Sequence, residues 1–200
     1  CALPISSNKF FLKDQRNQVN YFNYYYFTDA FNDDEISEIC RLGDSVSKYS
    51  AVTGNNDKPN DYRKSDISWI DESPESNWLY EKVAEYANKA NKEMWNFDIW
   101  GYQDSFQYTI YNGGGGHYDW HSDCGPNMSN RKLSCVLQLT DRKDYVGGDL
   151  EMDLGHTVQQ VVKGKGIMCF FPSFVLHRVT PVEMGIRKSL VTWLCGANLR

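Results

Sequence analysis

The sequence has no cysteine cluster. Its six cysteines, Cys1, Cys40, Cys124, Cys135, Cys169 and Cys195, are scattered and contain no C-x-x-C pair. That excludes the spacing of a thiolate zinc site or of a disulfide framework. Cys135, Cys169 and Cys195 lie inside apolar runs, where a buried free thiol is expected, and a reducing, cytoplasmic setting is the corresponding expectation. No apolar run reaches the roughly 20 residues of a membrane-spanning helix, and no signal-peptide pattern is seen, so no membrane partner is expected. An excess of basic residues is also missing. With 21 Lys and Arg against 26 Asp and Glu, the net charge is −5, which argues against a general binder of nucleic acid or anionic membranes. There is no internal repeat and no low-complexity tract.

What is present fits one domain over residues 1–200. The 41% hydrophobic content and the 14% aromatic content can build a core without disulfides. After a polar first 20 residues, the aromatic run Tyr21–Phe27 predicts a strand. Asp33, Asp34 and Glu35 open a helix to about Leu42, acidic residues suiting a helix N-terminus. Residues 51–61, with Gly54, Asn55, Asn56, Pro59 and Asn60, predict a long loop: a surface connection, or a lid (about 51–64) over an active site. A strand is expected over Ser65–Ile70. A helix is expected over Trp78–Trp95, where Leu79, Val83, Tyr86, Ala87, Ala90 and Met94 form one stripe. From Ser105 onward the chain breaks into short β-like runs: 106–111, 132–139, 149–152, 157–162, 166–171 and 188–194. The expectation is a mainly β (α+β) domain, with helical support over about 20–100 and a β sandwich or barrel core over about 105–197.

The chemistry is concentrated in that β half, which holds all four histidines. If residues 116–123 are extended, side chains alternate faces, and His117, Asp119, His121 and Asp123 point the same way. An H-x-D pair sets an imidazole beside a carboxylate, so that both can reach one metal. His177, after the apolar run 167–171 and the turn Pro172-Ser173, is the candidate third ligand. Two imidazoles and one carboxylate form the facial triad of non-haem Fe(II) oxygenases, with open positions for a keto acid and O2. Arg187 lies across a predicted turn, Pro181–Gly185. A hairpin there would return its guanidinium to the metal site, where it could grip the far carboxylate of 2-oxoglutarate through paired hydrogen bonds.

The set Gln107–Tyr111, Gly115–Asp123, Asp144–Leu150, Phe171–Ser173 and His177–Val182 with Arg187 resembles the prolyl 4-hydroxylase branch of the Fe(II)/2-oxoglutarate dioxygenases, including the PKHD-type hydroxylases. The likeness is specific over residues 105–195 and only general before them. It implies a double-stranded β-helix (jelly-roll, cupin-like) core. From the family spacing G-x-x-Y-x-x-H-x-D it implies His121, Asp123 and His177 as the metal ligands, with His117 and Asp119 as neighbours. Arg187 would bind the cosubstrate with a tyrosine of the preceding strand, either Tyr111 or Tyr108. Trp193, in phase with Arg187, would line the pocket or pack in the core. The implied cofactors are Fe(II), 2-oxoglutarate and O2, with ascorbate a candidate addition. The implied substrate is a prolyl residue in a peptide or protein, with succinate and CO2 released. Other readings are a free amino acid hydroxylase, a metal-binding jelly-roll without turnover, and a hydrolytic zinc site. Arg63 is a candidate substrate contact, and His156 is expected in an exposed turn.

Overall fold

A computed structural model describes residues 24–51 and 61–197. The expected strand start at Tyr21–Asn23 and the loop residues 52–60 lie outside them. The elements in chain order are β1 (Tyr25–Phe27), α1 (Asp33–Ser45), β2 (Tyr49–Ser50), β3 (Arg63–Lys64), β4 (Asp66–Ile70), α2 (Asn77–Met94), β5 (Ile99–Tyr102), β6 (Phe106–Asn112), β7 (Gly116–His121), β8 (Arg131–Gln138), β9 (Tyr145–Gly147), β10 (Leu150–Asp153), β11 (Val158–Gln160), β12 (Met168–Pro172) and β13 (His177–Gly196).

Local chemistry accounts for the helices. Asn32 caps α1 by accepting from the Glu35 N–H at 2.9 Å, and the Glu35 carboxylate accepts from the Asn32 N–H at 2.9 Å. This reciprocal box satisfies two donors that a helix start would otherwise orphan. Ile36, Ile39 and Leu42 then share a buried face of α1, as Leu79, Val83, Ala87 and Ala90 do on α2. Both faces cover one side of the larger sheet, against Phe106, Tyr108, Leu133, Leu137, Phe170 and Leu190. A second core, with Tyr111, Val136, Tyr145, Leu150, Met152, Phe171 and Val182, fills the space between the two sheets. Strand β8 shows the division residue by residue. Leu133, Cys135 and Leu137 belong to the helix-side core and Val136 to the inter-sheet core, and all eight of its residues are buried. Period-two alternation with both faces covered explains why even the polar residues of β8 are buried.

The larger sheet runs β2-β4-β6-β13-β8-β12-β1, with β5 against the end of β13; the smaller sheet sets β7, β9 and β10 on β13, β3 on β7 and β11 on β10. Every pairing is antiparallel. The fold is the expected jelly-roll. Two expectations need correction. Among the described residues, 24–104 supply five strands to the sheets as well as helical support. The predicted 181–185 hairpin does not form: residues 177–196 are one strand that passes from the smaller sheet into the larger. Register shifts between Val179 and Val182 and between Val182 and Met184 absorb Pro181 at the crossing. Gly185 takes φ +77° there, and an added Cβ would sit 2.1 Å from the Asp144 carbonyl oxygen. Arg187 therefore faces the cavity from the opposite sheet, not from the return arm of a hairpin. Among the described residues no helix is long and apolar enough to cross a membrane.

Candidate active site

Between the sheets lies a cavity of about 450 Å³, and both sheets contribute to its lining. On the smaller sheet, His177 pairs with His121 across β13 and β7. Asp123 follows β7 on a loop pinned by the Ser173 carbonyl oxygen, which accepts from the N–H groups of Asp123 and Cys124 at 2.9 and 3.0 Å. His121 Nε2 is 3.8 Å from Asp123 Oδ1, and His177 Nε2 is 3.5 Å from Asp123 Oδ2. The three ligand atoms lie within 4.8 Å of one another. The two nitrogen–oxygen gaps are within the span of two metal–ligand bonds of about 2.1 Å.

The imidazoles are held in one tautomer. His121 Nδ1 is 2.7 Å from the Asp119 carbonyl oxygen and His177 Nδ1 is 2.9 Å from that of Val175. A carbonyl only accepts, so each Nδ1 carries a proton, and each Nε2 is the ring nitrogen that faces Asp123. Burial first, and then the neighbouring His177, push the His121 pKa down to about 4, which keeps the ring neutral at ordinary pH. Burial would raise the Asp123 carboxyl. His177, His121, the Ser134 hydroxyl and the nearby Trp193 indole outweigh it and leave the group below its usual range. Two imidazole nitrogens and one carboxylate oxygen are a donor set that suits Fe(II).

On the larger sheet, Arg187 is 2% exposed and sits directly across from Tyr111 in the β13–β6 register. Its guanidinium carbon lies 5.2 Å from the Tyr111 ring centroid. One Nη donates to Ser189 Oγ at 3.2 Å, while the buried Nε has no acceptor. No carboxylate pairs with Arg187 among the described residues, so its charge is buried without a protein counter-ion. Trp193 also lines the cavity, with the Arg131 guanidinium 3.7 Å above its ring.

Tyr108 is not in the cavity. Three residues from Tyr111 on one strand, it faces the other way, buried under α1 with its hydroxyl 3.3 Å from Asp44 Oδ1. Of the two candidates, Tyr111 shares the cavity with Arg187. The four-residue face predicted for His117, Asp119, His121 and Asp123 is also corrected. Between Val179 and His177 on β13 the partners on β7 are Tyr118 and His121, so β7 carries an extra residue there. This bulge brings Tyr118 onto the His121 face, with ring centroids 3.5 Å apart. His117 goes to the other side, bonded to the carbonyl oxygens of Gly115 and Asp61. Arg63 does line the cavity, and His156 is exposed in a bend.

Sequence reasoning assigned no role to Ser134 and Ser173. Ser134 Oγ donates to Asp123 Oδ2 at 2.6 Å and lies 3.0 Å from Ser173 Oγ. A hydroxyl has one proton, so the Ser173 hydroxyl donates to Ser134. Ser173 stands in the Phe171–Ser173 motif without a role there, and no motif spacing marks Ser134.

Fold and site together define a class: a jelly-roll with a His–Asp–His cluster in the cavity between its sheets. Comparison with known proteins finds a family likeness over part of the chain. Residues 106–195 match the model of the 2OG-Fe(II) oxygenase superfamily, the stretch that carries the resemblance read in the sequence. A PKHD-type hydroxylase of Colwellia psychrerythraea is 36% identical over 86 residues, covering 43% of this chain and 39% of that protein. One from Synechococcus is 41% identical over 80 residues, covering 40% and 36%. The matched stretch thus spans about two fifths of these curated relatives. Among solved structures, a prolyl-4-hydroxylase of Pseudomonas putida aligns with TM-score 0.69 at 21% identity, over 88% of this chain and 93% of that one. A prolyl hydroxylase of Trichoplax adhaerens, in complex with a hypoxia inducible factor peptide fragment, aligns with TM-score 0.74 at 20% identity, over 90% and 86%. At these identities the structures establish the fold.

Proposed function

We propose that the chain is a non-haem Fe(II)/2-oxoglutarate-dependent dioxygenase, acting as one domain, that hydroxylates a prolyl residue in a peptide or protein. The observation that carries this reading is the pairing of two halves of one cavity. Three metal-ligand atoms converge on one sheet, and on the facing sheet a buried guanidinium without a carboxylate partner lies beside Tyr111. His121, Asp123 and His177 would hold the ion. Arg187 would bind the distal carboxylate of 2-oxoglutarate, aided by Tyr111. Bound Fe(II), with 2-oxoglutarate and O2, supplies the oxidising power to insert one oxygen atom into a C–H bond, with release of succinate and CO2.

The chain itself contributes orientation and exclusion of water. Arg187 is preset by β13 and by Ser189, so little ordering is lost when a carboxylate arrives. Val136, Leu150, Val179 and Val191 give the cavity apolar walls that keep solvent from the reacting centre. The prolyl preference is supported by the prolyl hydroxylases among the structural neighbours, one of them bound to a peptide. Five free thiols among the described residues agree with a reducing compartment.

The test is anaerobic loading with ferrous iron and 2-oxoglutarate, with and without ascorbate. O2 is then admitted in the presence of proline-containing peptides, with free amino acids as the competing set. The expected result is a gain of one oxygen on a prolyl residue, with one succinate formed per hydroxylation. Absence of succinate across the panel, or activity restored by zinc in place of ferrous iron, would overturn the reading.

A further inference from the structure

Three arginines line the cavity, and they differ in what neutralises them. Arg131 is paired with Asp104 at 2.6 Å. Arg187 is assigned above to the distal carboxylate of 2-oxoglutarate. Arg63 has neither kind of partner. It is 8% exposed, and its Nε and one Nη donate to Ser65 Oγ at 2.9 Å and Gln107 Oε1 at 3.0 Å, both neutral acceptors. Among the described residues it makes no ion pair. Asp66, on the same stretch, instead accepts from Ser50 and Asn112. Among the described residues the second Nη has no acceptor, and Arg63 is one of the residues that line the cavity. A charge this deeply buried is costly to keep unpaired.

Its position is equally specific. The Arg63 guanidinium carbon lies 4.4 Å from the Tyr118 ring centroid, and that ring stacks on His121 at 3.5 Å; together these distances keep the guanidinium within about 8 Å of the His121 ring. Charge points the same way. With the reading above, the Fe(II) ion and Arg187 are balanced by Asp123 and the 2-oxoglutarate dianion, and the Arg131–Asp104 pair is neutral. One positive charge is left, on Arg63.

We infer that Arg63 is a specificity residue that binds a carboxylate carried by the substrate within about two residues of the hydroxylated atom, two residues of extended chain spanning about 7 Å. This rests on the oxygenase reading and deepens it. The carboxylate belongs either to an acidic side chain flanking the target proline or to the α-carboxylate of a free amino acid, and the experiment separates the two.

Trp69 and Trp193 line the cavity, so ligand binding can be followed by tryptophan fluorescence without turnover. The probes are capped peptides with a central proline and Asp or Asn at each of the two positions on either side, together with free proline and prolinamide. They are titrated into the protein under nitrogen with Mn(II) and 2-oxoglutarate. The wild-type chain is expected to bind an Asp peptide at one flanking position about ten- to a hundredfold more tightly than its Asn counterpart, as a charge-assisted hydrogen bond provides. Preference for free proline over prolinamide instead identifies the α-carboxylate as the source. Arg63→Gln should abolish the acid preference, Arg63→Lys should keep part of it, and Arg63→Glu should turn it toward Lys-flanked peptides. Equal binding of acid and amide ligands by the wild type, including no binding of any probe, overturns the inference, as does an acid preference that survives Arg63→Gln. The oxygenase reading fails separately, if 2-oxoglutarate itself does not bind the wild-type chain.

Discussion

Asp123 accepts from Ser134 at 2.6 Å, and Ser134 in turn is held by Ser173, whose carbonyl oxygen also fixes the backbone of the Asp123 loop. Among the described residues, Asp123 is the one whose oxygens face both imidazoles, so its rotamer decides whether the cluster can close on an ion. Removing the hydroxyl with Ser134→Ala frees that rotamer and leaves Asp123 and Ser173 each short of a partner. Losses of this kind typically weaken metal binding by about 10–100-fold. Competition against a chromophoric chelator should show that drop for Mn(II) or Fe(II). The orphaned Ser173 hydroxyl should cost about 1–3 kcal/mol of stability, a few degrees in the thermal midpoint. Unchanged metal affinity would mean that the loop, not the hydroxyl, sets the carboxylate. At this scale the histidines were legible because they are few and gathered in residues 117–177. A serine carries no such mark. Tyr111 could not be separated from Tyr108 until the faces of β6 were known, because residues three apart on a strand point in opposite directions.

Among the elements, α1 lies so close to β6 that Gly43 touches the Tyr108 ring. A Cβ added there would sit 2.3 Å from Tyr108 Cγ. Glycine to alanine inside a helix ordinarily stabilises by about 0.5–1 kcal/mol. Here the sign reverses. The Tyr108 ring is fully buried with its hydroxyl anchored at Asp44, and the Gly43 carbonyl oxygen accepts from Ser68 at 2.7 Å, so neither side can give way freely. Overpacking of this kind costs about 1–3 kcal/mol. Denaturant unfolding of Gly43→Ala should show a net loss, and a gain would mean that α1 can lift off the sheet. Helices and most strands were legible from the sequence, because stripes of period 3.6 and 2 are imposed by burial on one side. The continuity of β13 was not. Pro181 and Gly185 read as a hairpin turn, yet bulges let the strand carry both while it changes sheets. The bulge in β7 was equally hidden, since the extra residue is defined only by its partner strand.

Considered as a whole, the molecule is two sheets closed over a cavity that buries more positive than negative charge. Stability and ligand binding are therefore linked. Without a bound acid, the Arg187 guanidinium is desolvated and unpaired, which opposes folding. Neutralising it with Arg187→Gln should leave the ligand-free chain no less stable than the wild type, although a buried side chain has been shortened. Ligands act in the opposite direction. On the proposed reading, metal and 2-oxoglutarate bind only the folded chain, and each should stabilise it by about 2.7 kcal/mol at a hundredfold excess over its dissociation constant. For a chain of this size that is a rise of roughly 5–10 °C in the thermal midpoint. A chelator should reverse the part due to metal. Arg187→Gln should remove the part due to 2-oxoglutarate and leave the metal's part in place, because the three ligands lie on the facing sheet. A 2-oxoglutarate shift of full size in Arg187→Gln would place the acid elsewhere in the cavity, and a ligand-free variant much less stable than the wild type would mean that packing of the side chain outweighs its charge.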